Sequence, residues 1–348
     1  MGLSPSRGRE HPPLFAHPPL FLLIAATIAI MAGSCLVGLM LGGVALPPLS
    51  ILEALRHEGP AVVQTIIWKL RIPRILLAFS VGGLLALSGA LLQVLLRNPL
   101  ADPYVLGVSG GAAVAALLSF MIGLPLYWVM GNAFLGAALA TALLLLLTRL
   151  TGPITPIRLL LTGIIMASGL SAVVTLLLAL SPEPTLHTLL FWLMGSLAYS
   201  PGLMAAGMGL PALLLAILVL WPFAGELNVL LRGVETAQSL GVHTGRLTLG
   251  LYLFASLCTA LAVTQAGMIG FVGLIVPHLV RMTVGADHRK LLPLAGLWGG
   301  SLLVAADALA RSLLAPRELP VGVLTAFLGV PLFLLLLARS NRTGILRS

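Results

Sequence analysis

Few residues in this 348-residue chain are equipped for chemistry, and their spacing limits what they could do. Ser109 lies in Gly107-Val108-Ser109-Gly110, a glycine-flanked setting like that of a hydrolytic nucleophile, and His278 is the base one would pair with it. Motifs this short match often by chance, and the spacing does nothing to bring His278 to Ser109. Close packing at the start of a helix is the plainer reading of these glycines. His278 follows Pro277 and reads as a polar group at a helix end rather than a metal ligand. The only lysines are Lys69 and Lys290, and neither sits in a glycine-rich loop ending Gly-Lys-Ser/Thr, so the chain has no P-loop. The one clearly embedded acid is Asp307, and Arg311 stands one helical turn along to neutralise it. No catalytic residue and no metal site emerge. Cys35 and Cys258 fall inside apolar runs and read as small buried hydrophobes.

Composition says what must hold these groups. Hydrophobic residues make up 59% of the chain and charged residues 8%, and mean hydropathy is +1.10. A soluble fold cannot hide that much apolar surface, whereas a polytopic helical membrane protein has lipid as its solvent. The runs are too long and too uniformly apolar for barrel strands. A formal charge of +9 invites a nucleic-acid reading, but the basic residues are scattered singly between apolar runs, which excludes a nucleic-acid stripe.

The expected fold is all-α with about ten spans: 18–42, 73–96, 105–123, 132–149, 157–180, 203–222, 247–266, 268–284, 291–313 and 321–338. The first apolar run is too long for a signal peptide and reads as an uncleaved span. The eighth is short and interrupted by Gly270, Gly273 and Pro277, a broken helix that only protein or a cavity could cover. The whole of 1–348 reads as one membrane domain, with 1–17 as a cytoplasmic tail. Placing both termini in the cytoplasm puts thirteen of the 19 Lys and Arg residues inside. Arg56, Lys69, Arg71, Arg74, Arg311 and Arg317 are then outside.

Two connections are longer than the rest. Residues 43–72 lie outside and hold a short helix near Ile51 to His57. Residues 223–246 lie inside and are the most polar stretch between spans. Leu227, Leu230, Leu231, Val234 and Leu240 recur there at near-helical spacing, with Arg232 and Glu235 on another side. Residues 181–202 read as a turn and a half-helix. A transport body with neither a P-loop nor unpaired embedded acids needs its energy from another protein, and 223–246 is where that protein would dock.

The most informative stretch starts with Arg71-Ile-Pro-Arg74. Ser88-Gly89-Ala90 with Gln93 follow, then Arg97-Asn98-Pro99-Leu100-Ala101-Asp102-Pro103 and Leu106-Gly107-Val108-Ser109-Gly110-Gly111-Ala112. Phe191-Trp192 with Gly195-Ser196 come next. After them stand Gly270-Phe271-Val272-Gly273-Leu274 with Pro277, His278 and Arg281. Last come Asp307 with Arg311, Leu319-Pro320-Val321-Gly322 and Gly329-Val330-Pro331. Taken together, from about residue 20 to 340, these resemble the FecCD-type permeases, the membrane subunits of bacterial type II ABC importers for ferric siderophores, heme and cobalamin.

The resemblance implies a homodimer in the inner membrane, with the pathway between subunits and alternating access. It implies two cytoplasmic ATPase subunits that hold the ATP and magnesium, and a periplasmic binding protein that delivers cargo; this chain would bind no cofactor and catalyse nothing. It also implies roles. Arg71, Arg74 and Arg311 would pair with acidic groups on the binding protein, although by type and position alone Arg71 and Arg74 could be snorkelling anchors and Arg311 only a helix-stabilising partner of Asp307. Arg232, Gly233, Glu235, Ala237, Leu240 and Gly241 would meet the ATPase. Ser88, Gln93, Phe191, Trp192 and Ser196 are the pathway or gate candidates, although Gln93 could instead bond a neighbouring helix and the aromatics could mark the lipid interface. Arg97, Asn98, Pro99, Asp102, Pro103, Gly107, Pro277, His278, Arg281, Asp307, Pro320 and Gly322 read as structural. The alternatives are a stand-alone ion-coupled secondary carrier, an intramembrane protease and a purely structural subunit.

Overall fold

A computed structural model of the chain describes residues 19–198 and 202–342. The tail 1–17 and Arg347 lie outside the described residues. Among the described residues the backbone is helical and holds no strand. In chain order the elements are α1 (Leu20–Met40), α2 (Pro48–Leu55), α3 (Ala61–Thr65), a π-helical stretch (Ile66–Arg71) and α4 (Ile72–Leu95). A 3-10 turn (Pro103–Leu106) leads to α5 (Val108–Met121), α6 (Leu126–Leu150), α7 (Pro156–Leu180), α8 (Glu183–Leu193), α9 (Leu203–Gly207) and α10 (Gly209–Leu220). Then come α11 (Ala224–Leu230), α12 (Val234–Ser239), α13 (Thr244–Ala266), α14 (Val272–Val284), α15 (His288–Ser312) and α16 (Val321–Arg342).

Each of the ten expected spans meets a helix. Seven helical stretches are long and apolar enough to cross a bilayer, whereas α5, α14 and the apolar part of α16 are shorter. At 14 and 13 residues, α5 and α14 are about 21 Å and 20 Å long, against a hydrocarbon core of about 30 Å. Before them the α-helical backbone is interrupted at 96–107, which contains the 3-10 turn, and at 267–271. The third span therefore begins at Val108 rather than near residue 105.

α4 is the axis of the bundle. It is buried along nearly its whole length and packs on α10, α13, α14 and α15. Its small residues explain how. A Cβ at Gly82 would strike the Gly299 carbonyl of α15, one at Gly83 the Leu213 side chain of α10, and one at Gly89 the Gly273 carbonyl of α14. In lipid, where apolar side chains gain little by meeting one another, such backbone proximity is a main source of helix association. α7, by contrast, leaves most of its length exposed, as a lipid-facing helix does.

Candidate functional site

The candidate site has two ends, joined by α15. At one end α4 begins and α15 finishes. Arg74, on the first turn of α4, donates from Nε to both carboxylate oxygens of Asp307 at 3.0 and 3.1 Å. Arg311 donates to the same carboxylate at 3.0 Å. Asp307 is 1% exposed, so one acid holds two guanidinium groups inside the bundle. The second η nitrogen of Arg311 donates to the Gly38 carbonyl of α1 at 3.2 Å. Arg71, the last residue of the π-helical stretch, donates to the carbonyls of Leu39 and Val44. It is 3% exposed overall.

All three arginines are buried and have polar partners within the chain, so Arg71 and Arg74 do not take the alternative of reaching back to the membrane surface. A buried cation must find such partners or pay heavily for lost hydration. They nevertheless reach one open space. A cleft of about 480 Å³ is lined by Gly42, Val44, Lys69, Arg71, Arg74, Arg311 and Glu318, among others.

The other end is built from α11, α12 and the start of α15. α10 runs through a 3-10 turn (Trp221–Phe223) into α11, so the sixth span and the polar connection are continuous. α11 buries Leu227 and Leu230. Asn228, on the same helix, acts as a latch. Its amide nitrogen donates to Asp287 at 2.8 Å, and its oxygen accepts from the backbone N–H of His288 at 2.9 Å and lies 2.7 Å from His288 Nδ1. Asp287 also caps α15 by accepting from the Arg289 N–H, and the Asn228 hydrogen bond holds its carboxyl below the usual carboxylate range. Trp221 donates to the Arg289 carbonyl at 3.1 Å.

α12 follows Gly233 and ends before Gly241, whose φ of +82° is the left-handed conformation that stops a helix without a Cβ penalty. Among the expected coupling residues, Arg232, Glu235 and Gly241 are exposed, Gly233 is half-buried and Ala237 is buried. Leu240, read as part of an inward apolar stripe, is 64% exposed. Leu227 and Leu230 are buried and Leu231 and Val234 half-buried; the spacing is lost only beyond the break at Gly233, where Ala237 rather than Leu240 is buried. A groove of about 650 Å³ beside these helices is lined by Phe223, Glu226, Leu240, His243, Arg246 and Phe254, among others.

Ser88 and Gln93, the pathway candidates on α4, both bond neighbouring helices within the chain. Ser88 is fully buried between α4 and α13, donating to the Ala255 carbonyl at 2.8 Å and lying 2.7 Å from the Thr259 hydroxyl. Gln93 donates to the Leu274 carbonyl at 3.1 Å and accepts from Arg281 at 3.2 Å, which ties α4 to α14. Trp192 is buried too, while Phe191 is half-buried and stacks on His187 at 4.3 Å between ring centroids. Ser196 donates its backbone N–H to Ala266 at 2.8 Å, beside the break in the chain at 267–271. Gly322 fits against the carbonyls of Met194 and Met268 at the same junction, and Pro320 is buried just before it.

That break is satisfied by a residue the sequence reading passed over. The Tyr104 hydroxyl donates to the Ile269 carbonyl at 2.9 Å and accepts from the Ile269 N–H at 2.8 Å. Backbone without helical partners inside a bundle needs such groups. The polar turn before it is self-supporting. Asn98 accepts from the Leu100 N–H, Asp102 accepts from the Tyr104 N–H, and Gly107 at φ +75° admits the chain to α5. Burial pushes the Asp102 carboxyl up to about 6. Arg97 is exposed, and Pro99 and Pro103 hold the turn. Ser109 is buried in the first turn of α5, which packs on α6, α7 and α13. His278 is half-buried on α14 after Pro277, and no hydrogen bond joins it to Ser109 among the described residues.

Comparison with known proteins places the chain in a family. The model of the FecCD transport family matches residues 28–339. A cobalamin import system permease protein, BtuC, from Halobacterium salinarum is 44% identical over 85% of this chain and 80% of its own. The hemin transport system permease protein HmuU of Yersinia pestis is 44% identical over 79% of this chain and 84% of its own. The vitamin B12 import system permease protein BtuC of Vibrio cholerae is 39% identical over 92% and 94%. Among solved structures, an inward-facing ABC transporter described as metal-chelate type superposes with a TM-score of 0.82 at 34% identity, over 91% of this chain and 99% of that one.

Proposed function

The chain belongs to the FecCD transport family and is a membrane permease component of an ABC importer, and from that premise we propose how its two ends divide the work. The end bearing Arg71, Arg74 and Arg311 faces outward and receives acidic side chains of a cargo-delivering binding protein. The end bearing α11 and α12 faces the cytoplasm and receives an ATPase subunit, which holds the ATP and magnesium. Two copies of the chain enclose the pathway in the inner membrane. The cargo is a bulky metal chelate of the cobalamin, heme or ferric-siderophore class, the kind named for the relatives above. Phe191 and Ser196, half-buried beside the break at 267–271, are the gate positions.

The observation that carries this reading is α15. Its first residues are bonded to the exposed helices at one end through Asn228, and its last turns carry the Asp307–Arg311 pair at the other. A rigid 25-residue helix, about 37 Å long, links the two faces. When the ATPase dimer closes on α11 and α12, α15 carries that displacement across the membrane to the charged cleft. The embedded acid on this route, Asp307, is already paired with two arginines, which counts against its serving an ion-coupled carrier.

The exposed face of α12 gives the test. Co-expressed with its ATPase, the chain carrying Glu235→Lys together with Leu240→Asp is expected to retain about a tenth or less of the co-purifying ATPase. The substituted protein should still elute as a single species in detergent. Undiminished ATPase recovery would move the docking surface elsewhere.

A further inference from the structure

The charged cleft at the outer end contains an acid as well as cations, and that acid is placed where a partner's would go. Arg74 divides its hydrogen bonds between two carboxylates. Its Nε is held from within by Asp307, whose side chain is 2% exposed, while its Nη1 donates at 2.8 Å to Glu318, whose side chain is 45% exposed. Lys69, Arg71, Arg74 and Arg311 line the cleft, and Glu318 is the only carboxylate lining it among the described residues. Arg71 meets only backbone carbonyls. Counting Asp307 beneath the cleft, four cations face two acids, so the site is two carboxylates short of neutral.

We propose that Glu318 is a built-in stand-in for the docking partner's carboxylate: it occupies the outward N–H of Arg74 in the free permease and is displaced when the partner's acidic side chain enters the cleft. This rests on the docking reading above. The two acids differ in what they hold. Removing Asp307 would strand two buried guanidiniums, whereas removing Glu318 leaves Arg74 still paired from within. Glu318 lies in the connection between α15 and α16, where the neighbouring Leu319 N–H bonds the Ala310 carbonyl at 3.1 Å. A solvated carboxylate that exchanges one guanidinium for water gives up little, because exposed ion pairs contribute modestly. Its presence thus weakens docking, contrary to the ordinary expectation that an ion pair at an interface strengthens it.

The probe is immobilised poly-L-glutamate, which presents side-chain carboxylates without requiring the natural partner. Full-length permease in nanodiscs of zwitterionic lipid is passed over it at low salt. Glu318→Gln should bind about threefold more tightly or better, and Glu318→Ala should do the same. Glu183→Gln, at an exposed acid that does not line the cleft, changes net charge equally and is the control, expected to match the unsubstituted protein. Unchanged thermal unfolding of the Glu318 variants would assign the gain to the freed Arg74 edge. If Glu318→Gln binds no better than Glu183→Gln, the stand-in is overturned while the docking reading survives. Arg71→Gln separates the two: it should weaken binding in every background, and if it does not, the cleft is not the docking site and the docking reading fails with it.

Discussion

Replacing Asp307 with alanine is expected to destabilise the folded protein by about 3–5 kcal/mol, the range for breaking a buried ion pair from one side. Asp307 is the shared acceptor of Arg74 and Arg311 and is 1% exposed. Its loss leaves two guanidinium groups inside the bundle with less than their full set of acceptors, and Arg311 keeps only the Gly38 carbonyl. The measurement is the temperature at which detergent-solubilised protein ceases to be monodisperse, together with expression yield. A second variant sharpens the reading. Asp307→Ala combined with Arg311→Met removes an acid and a base together, and replacing a buried pair by apolar groups is often nearly neutral. The double variant should therefore recover much of the loss. Equal instability of the single and double variants would mean that the charge cluster is not what fails.

Gly89→Ala is expected to be nearly as damaging, although it adds only one methyl group. That methyl would fall on the Gly273 carbonyl of α14, and Gly273 in turn sits against the Leu85 carbonyl of α4. Neither neighbour is a flexible side chain that could step aside, so the helices must separate. Overpacking typically costs 1–3 kcal/mol, and a backbone-on-backbone collision belongs at or above about 3. Parting α4 from α14 would also stretch the Gln93 bonds to Leu274 and Arg281. Gly169→Ala in α7 is the matched control: nothing lies within 4 Å of its Cβ position, and alanine is the better helix former by up to about 1 kcal/mol. Thermal stability of Gly89→Ala should fall sharply while that of Gly169→Ala holds or rises.

Seven of the ten expected spans were legible because lipid imposes a length, about twenty apolar residues whatever their order, whereas α5, α14 and the apolar part of α16 fall short of it. The break before α14 was legible for the same reason, since Gly270, Gly273 and Pro277 interrupt a run that lipid would otherwise require to be helical. The short helices in 223–246 announced themselves through polarity. What the sequence could not convey was depth and partner. Arg71, Arg74 and Arg311 can be assigned to a side of the membrane by counting charges, and Arg311 to Asp307 by helical spacing, but nothing local says that Arg74 joins them on Asp307, 233 positions away. Ser88 and Gln93 have the chemistry of pathway residues and equally of helix-to-helix bonds, and only packing decides. Tyr104, Asn228 and Glu318 were missed because each acts through a partner distant in the chain. The sole local hint was polarity: a tyrosine after an Asp-Pro turn, an asparagine between leucine and valine, and a glutamate just ahead of Leu319-Pro320.

The central claim is that this chain is a passive gate moved by a nucleotide-hydrolysing partner. The most direct measurement is uptake into proteoliposomes holding the chain alone, or the chain with its ATPase and binding protein, each offered cobalamin, hemin and a ferric siderophore. Accumulation of one of these chelates only when the partners and ATP are present is the predicted result. Concentrative uptake by the chain alone, driven by a proton or sodium gradient, would contradict it.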